Sequence, residues 1–228
     1  MEADPVTLEK VNDVYRRTWE YAQAHPEERL FRPASRKGEI GFTILYTPAR
    51  KNPDVLICGQ NPSMFGPRLD SEIDAAMLSG EIPPVNSYIA HDHEFAYQLR
   101  KSFNRHGMGR ILEECVGMNL YFVQGDRDAI QTLSNDVRKF FAARTIDIVR
   151  AVMPKVILAV GMTCAFEAFA KKRPTNEQTD GRERIYAESF CGPIPVIGVT
   201  HLTGSRSPMK GQAMDMALER IRDLLVTA

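Results

Sequence analysis

Four cysteines occur in 228 residues, and no two of them form a C-x-x-C pair. Zinc and iron–sulfur sites draw on closely spaced ligands, so the scatter of Cys58, Cys115, Cys164 and Cys191 argues against a cysteine-held metal. Three of the four lie in or beside apolar segments, where a free cysteine acts as a small hydrophobe. No apolar run reaches the length of a membrane span. The first residues, Met1-Glu2-Ala3-Asp4-Pro5, lack the basic-then-apolar order of a signal peptide. The expected compartment is the cytoplasm, without a membrane partner, and there a disulfide framework is not expected. Net charge is missing as well: 29 basic residues balance 29 acidic ones, which argues against a histone-like coat on DNA. A focused basic site remains open, because Arg206 and Lys210 stand between His201 and Gly211 with no acidic residue among them.

Hydrophobic content of 43% and charged content of 25% are ordinary globular values. The length fits one domain over 1–228 with a substantial core, residues 1–50 forming an N-terminal helix and strand extension. The spacing of Val11, Val14, Tyr15, Trp19 and Ala22 predicts a helix over 7–24, ended by His25-Pro26. Further helices are expected near 71–78, over 94–105, 109–115, 133–152 and 163–170, and from 209 to 226. Nearly continuous apolar runs predict strands at 54–58, 120–123, 156–160 and 194–199, with another candidate at 41–46. Pro195 suits an edge or the start of a strand. A polar connection opens at Lys171-Lys172-Arg173-Pro174. Alternating strands and helices imply an α/β fold, a three-layer α/β/α sandwich around four central, mainly parallel strands.

Two polar clusters follow two of these strands directly. The first is Gly59-Gln60-Asn61-Pro62-Ser63-Met64-Phe65-Gly66, and the second is His201-Leu202-Thr203-Gly204-Ser205-Arg206-Ser207-Pro208. Ligands of open α/β sheets bind outside the carboxyl ends of parallel strands, so the clusters are candidate walls of one pocket. Their residues can orient a water, protonate a leaving group and hold a phosphate, which points to hydrolysis on a nucleotide.

The first cluster, a middle strand ending in an amide residue and a last strand ending in His together resemble the uracil-DNA glycosylase superfamily. Asn61-Pro62-Ser63-Met64-Phe65-Gly66 is most similar to the single-strand-selective monofunctional branch, whose loop reads Asn-Pro-Gly-Pro-Phe-Gly. His201 with Arg206-Ser207-Pro208 and Lys210-Gly211 is similar to the second loop of that branch, although Leu202-Thr203 replaces its Pro-Ser. The resemblance runs from about Asp54 to the C-terminus. It implies base-binding roles for Gln60, Phe65 and Gln124, the last standing where the superfamily usually has Asn.

Cleaving an N-glycosidic bond needs charge relief on the departing base and a water held behind the sugar carbon. An Asn carbonyl can hold that water in line when the sugar is already oxocarbenium-like, and Asn61 is the candidate. His201 can donate a hydrogen bond to the base carbonyl as charge develops there. Phe65 can stack on a flipped base. Gln124 offers donor and acceptor to a pyrimidine edge, with Asn119 as an alternative at what reads as the other end of its strand. Ser63, Thr203, Gly204 and Ser205 suit backbone phosphates, Arg206 and Lys210 add charge, and Leu202 or Met209 can wedge into the gap of an extruded nucleotide.

The expected activity is monofunctional hydrolysis of a deaminated base from DNA in base-excision repair. Uracil comes first, with hypoxanthine and xanthine as alternatives. Single- and double-stranded DNA are both open as partners, and a monomer is expected. No lysine nucleophile stands in either cluster, so no lyase step is expected, and neither metal nor organic cofactor is required. His91-Asp92-His93 reads as surface rather than as a metal site. Two rivals remain: a nucleic-acid binder without catalysis, and a nucleoside or nucleotide hydrolase.

Overall fold

The computed structural model describes residues 5–25, 44–60, 86–123, 132–170, 173–181, 183–202 and 208–227. These form an α/β fold around a mixed sheet. Its strands are β1 (Val55–Gly59), β2 (Val116–Asn119), β3 (Val156–Val160), β4 (Asn176–Asp180), β5 (Glu183–Cys191) and β6 (Ile194–Val199), in the order β2-β1-β3-β6-β5-β4. The first four in that order run parallel. β5 and β4 add an antiparallel extension. The sheet therefore has six strands where four were expected, and the polar connection after Pro174 contains the missing two.

The helices are α1 (Pro5–Ala24), α2 (Ser87–Ala90), α3 (Glu94–Arg105), α4 (Gly109–Glu114), α5 (Asn135–Val152), α6 (Glu167–Phe169) and α7 (Pro208–Thr227). A π-helical turn, Met162–Phe166, takes the first half of the span expected as an ordinary helix after β3. Local chemistry sets several boundaries. Ser134 caps α5 by accepting from Val137 N–H, Asp136 and Arg150 suit the two ends of its dipole, and Met153 ends it in the left-handed region before Pro154. His93 caps α3 through Nδ1, which accepts from Ala96 N–H at 3.3 Å.

Successive strand residues point to opposite faces, and both faces are covered. Leu56, Cys58, Met118, Ile157 and Ala159 pack with Val11, Val14 and Tyr15 of α1 and Val137, Phe141 and Ile148 of α5. Val55, Ile57, Leu158, Val160, Ile197 and Val199 pack with Leu99 and Phe103 of α3 and with Met214, Ala217, Leu218 and Ile221 of α7. That double coverage is why β1 and β3 read as unbroken apolar runs. Burial also pushes the thiols of Cys58 and Cys115 up, Cys115 to about 12, so both are inert core groups.

The second strand lies four residues earlier than the sequence suggests. Leu120, Phe122 and Val123 are buried, but in the core beneath α5, where Thr145 Oγ1 donates to Leu120 O at 3.2 Å. Their apolar character comes from that wrap onto the helix, although Leu120 N–H still bonds to Gly59 O of β1. Of the candidate strand at 41–46, the described part makes one antiparallel bridge, Leu45 to Met118. Pro195 is one residue ahead of the β3 ladder, which begins at Val196, so it marks the start of an interior strand and not a sheet edge. The short helix expected near 71–78 lies outside the described residues. Among the described residues, no helix is long and apolar enough to cross a membrane.

Candidate functional site at the carboxyl edge of the sheet

The chain passes from β1 outward to β2 and then crosses back to β3 on the other side of β1. The direction of winding reverses there, and a crevice opens outside the strand ends at such a point. The described residues at this candidate crevice are Gly59-Gln60 after β1, Asn119 at the end of β2, Gly161 after β3, and Thr200-His201 after β6. Backbone pairing continues past the strands: Leu120 N donates to Gly59 O (2.9 Å), Tyr121 N to Gln60 O (2.8 Å), and Gly161 N to Val199 O (2.8 Å). The edge is consequently a fixed rim. No carboxylate stands among these border residues.

Asn119 is the buried polar group of this rim, only 4% exposed. It pairs in register with Gly59. A methyl group on residue 59 would sit 2.6 Å from Asn119 Oδ1, so the missing side chain makes room for the amide. On its other side, Asn119 Nδ2 donates to Tyr46 Oη at 2.6 Å.

An aromatic wall continues from this bond. Tyr46 stacks on Tyr88 (centroids 6.0 Å, 27°), Tyr88 meets Phe95 edge-on (6.0 Å, 72°), and Phe95 stacks on His201 (5.7 Å, 26°). Tyr88 lies over Gly117 so closely that a Cβ there would fall 2.4 Å from its ring. Burial first, then nearby Cys115, Tyr46 and Cys58, push the Tyr88 phenol well above its ordinary range, so it is a neutral wall. Arg100 secures the approach to α3 by donating to Tyr88 O (2.7 Å) and His91 O (2.8 Å) and by pairing with Asp92.

Asp92 and His93 are thus occupied with structure through their side chains, and His91 through its carbonyl. Burial, then His91 and Arg100, lower the pKa of the capping His93, which favours the neutral ring that its acceptor role requires. Among the described residues, no group of three His, Cys, Asp or Glu is arranged to hold a metal ion.

The expected site residues divide sharply. Gln60 is half-buried at the end of β1, and His201 is exposed two residues beyond β6 against Phe95. Lys210 falls in the first turn of α7. Asn61, Ser63, Phe65, Gln124, Thr203, Gly204, Ser205 and Arg206 lie outside the described residues. Leu202, expected as a wedge, is half-buried and packs against the core beneath α7.

With β2 at Val116–Asn119, the residue at its carboxyl end is Asn119, and Gln124 lies five positions farther on. Asn119 therefore stands at the end facing the crevice, contrary to the sequence expectation. Tyr46, Tyr88, Phe95 and Gly161 are border or wall residues without a sequence signal, except that Gly161 closes an apolar run as Gly59 does. No protein-family model and no curated protein sequence matches the chain.

Proposed function

We propose that the protein is a monofunctional DNA glycosylase that hydrolyses the N-glycosidic bond of a flipped, deaminated base, uracil first, leaving an abasic site. The observation that carries this reading is the buried Asn119 amide at the crevice, joined through Tyr46, Tyr88 and Phe95 to His201. An amide for the base edge, aromatic surfaces and an imidazole are the groups that grip and discharge a base. The four parallel strands, in the order β2-β1-β3-β6, support this reading, and the β4–β5 extension departs from the sandwich expected.

In this reading Asn119, rather than Gln124, reads the base edge. His201 donates to a base carbonyl as the bond from the sugar carbon to the ring nitrogen breaks and its electron pair passes to the base. Asn61 holds the water whose oxygen bonds to that carbon; one water proton then goes to solvent, and the base takes one up. Extruding the base costs least from single strands and mismatches, which makes those the preferred DNA.

The experiment is an abasic-site assay on single- and double-stranded oligonucleotides carrying uracil, hypoxanthine or xanthine. Strand scission after alkali at the uracil position is expected, with loss of activity in Asn61→Ala and His201→Ala. Absence of product on every substrate overturns the proposal, and activity surviving in both variants overturns the mechanism.

A further inference from the structure

Tyr46 comes from the segment ahead of β1, outside both strand-end clusters, and is held tightly against β2. Its N–H donates to Gly117 O (2.9 Å), and its carbonyl accepts from Ser87 N (2.8 Å). Beside it, Thr47 Oγ1 accepts from Gly117 N at 2.8 Å. On the other side, Leu45 N donates to the Tyr15 hydroxyl at 2.9 Å. With backbone and ring both fixed, the phenol oxygen is delivered to Asn119 Nδ2.

We infer that Tyr46 is a positioning residue that fixes the amide orientation of Asn119 and thereby selects deaminated bases over their parents. The inference rests on the reading of Asn119 as the base-edge reader. A side-chain amide has two N–H donors and one carbonyl acceptor. Tyr46 takes one donor, leaving an N–H and a carbonyl side by side. That pair fits the edge of uracil or hypoxanthine, where a carbonyl neighbours a ring N–H. The corresponding edge of cytosine or adenine, an amine beside a bare ring nitrogen, needs the same two groups in the opposite order. An unrestrained amide satisfies both by turning over. With its N–H on the phenol oxygen, it turns over only if the phenol reverses from acceptor to donor, and in the order shown the wrong base leaves buried polar groups mispaired.

The test compares wild type, Tyr46→Phe, Asn119→Ala and the double variant on single strands carrying uracil or cytosine at one position. Binding and abasic-site formation are both measured. Tyr46→Phe is expected to lower uracil affinity by roughly 3- to 10-fold, the size of one lost hydrogen bond, and to reduce the uracil-to-cytosine ratio similarly. The double variant is expected to be no worse than Asn119→Ala. The same Tyr46→Phe change moves the Asn119 side-chain amide signal in a nitrogen-correlated NMR spectrum, independently of activity. Additive losses, an unchanged ratio or an unmoved signal overturn the role of Tyr46 and leave the pocket reading standing. A wild-type chain that neither binds nor cleaves the uracil strand overturns the pocket reading, and the inference with it. The same holds if Asn119→Ala leaves both properties intact.

Discussion

Phe95 and His201 lie ring against ring, their centroids 5.7 Å apart and their planes 26° from parallel. They come from the first turn of α3 and from the residues just after β6, so the contact ties the imidazole at the rim to α3. Replacing Phe95 in Phe95→Ala removes this ring contact while leaving the imidazole itself in place. If His201 stabilises the departing base, kcat falls by about 3- to 10-fold while KM changes little, in line with a contact worth roughly a kcal/mol. Single-turnover kinetics check this, and an unchanged kcat contradicts it.

Two glycines in neighbouring strands separate function from stability. In Gly59→Ala the new methyl meets the tip of the Asn119 amide, and moving that amide breaks its hydrogen bond to Tyr46, at an expected cost of about 1–3 kcal/mol. Base binding is expected to drop as Asn119 leaves its place. In Gly117→Ala the methyl meets the ring of Tyr88, which is fully buried, and the expected cost is about 1–3 kcal/mol. Denaturant melts with uracil-strand titrations distinguish the two: binding falls further in Gly59→Ala for a comparable loss of stability, and equal losses of binding contradict the assignment.

Glu188 predicts acid sensitivity at the antiparallel extension. Burial alone would raise its pKa, but hydrogen bonds from Asn176, Tyr186 and Arg220 outweigh that effect and hold the carboxyl below its ordinary 4.5. The unfolded chain therefore takes up this proton first as pH falls. The stabilisation is complete above the unfolded value and is lost as pH drops through the folded one. Thermal melts between neutrality and mild acid are expected to show a steeper loss for wild type than for Glu188→Gln. Parallel slopes would contradict the linkage.

The parallel half of the sheet was legible because β1, β3 and β6 carry apolar runs buried from both sides. β2 was misplaced for a physical reason: it is four residues long and contains Gly117 and Asn119, while the richer apolar run after it belongs to the helix-side core. β4 was missed because all five of its residues are exposed, leaving no apolar alternation. Its one usable signal was Asp180-Gly181, a hairpin dipeptide, and Gly181 does adopt the positive φ of such a turn. At the site, the loop motifs were visible as sequence and the wall was not. Tyr46, Tyr88, Phe95 and His201 meet only because the fold brings three distant segments to one edge.

β1 is flanked by β2 and β3, and its pairing with β3 joins residues roughly a hundred positions apart. Such distant parallel pairing closes late, after the chain has met the entropy of a long loop. The crevice beside β1 has no floor until β3 docks, and the His201 side of the rim depends on β6 docking against β3 in turn. A half-folded chain therefore has no rudimentary version of the site. Recovery of base binding during refolding is expected to track the slowest phase of sheet assembly rather than the earlier formation of helices.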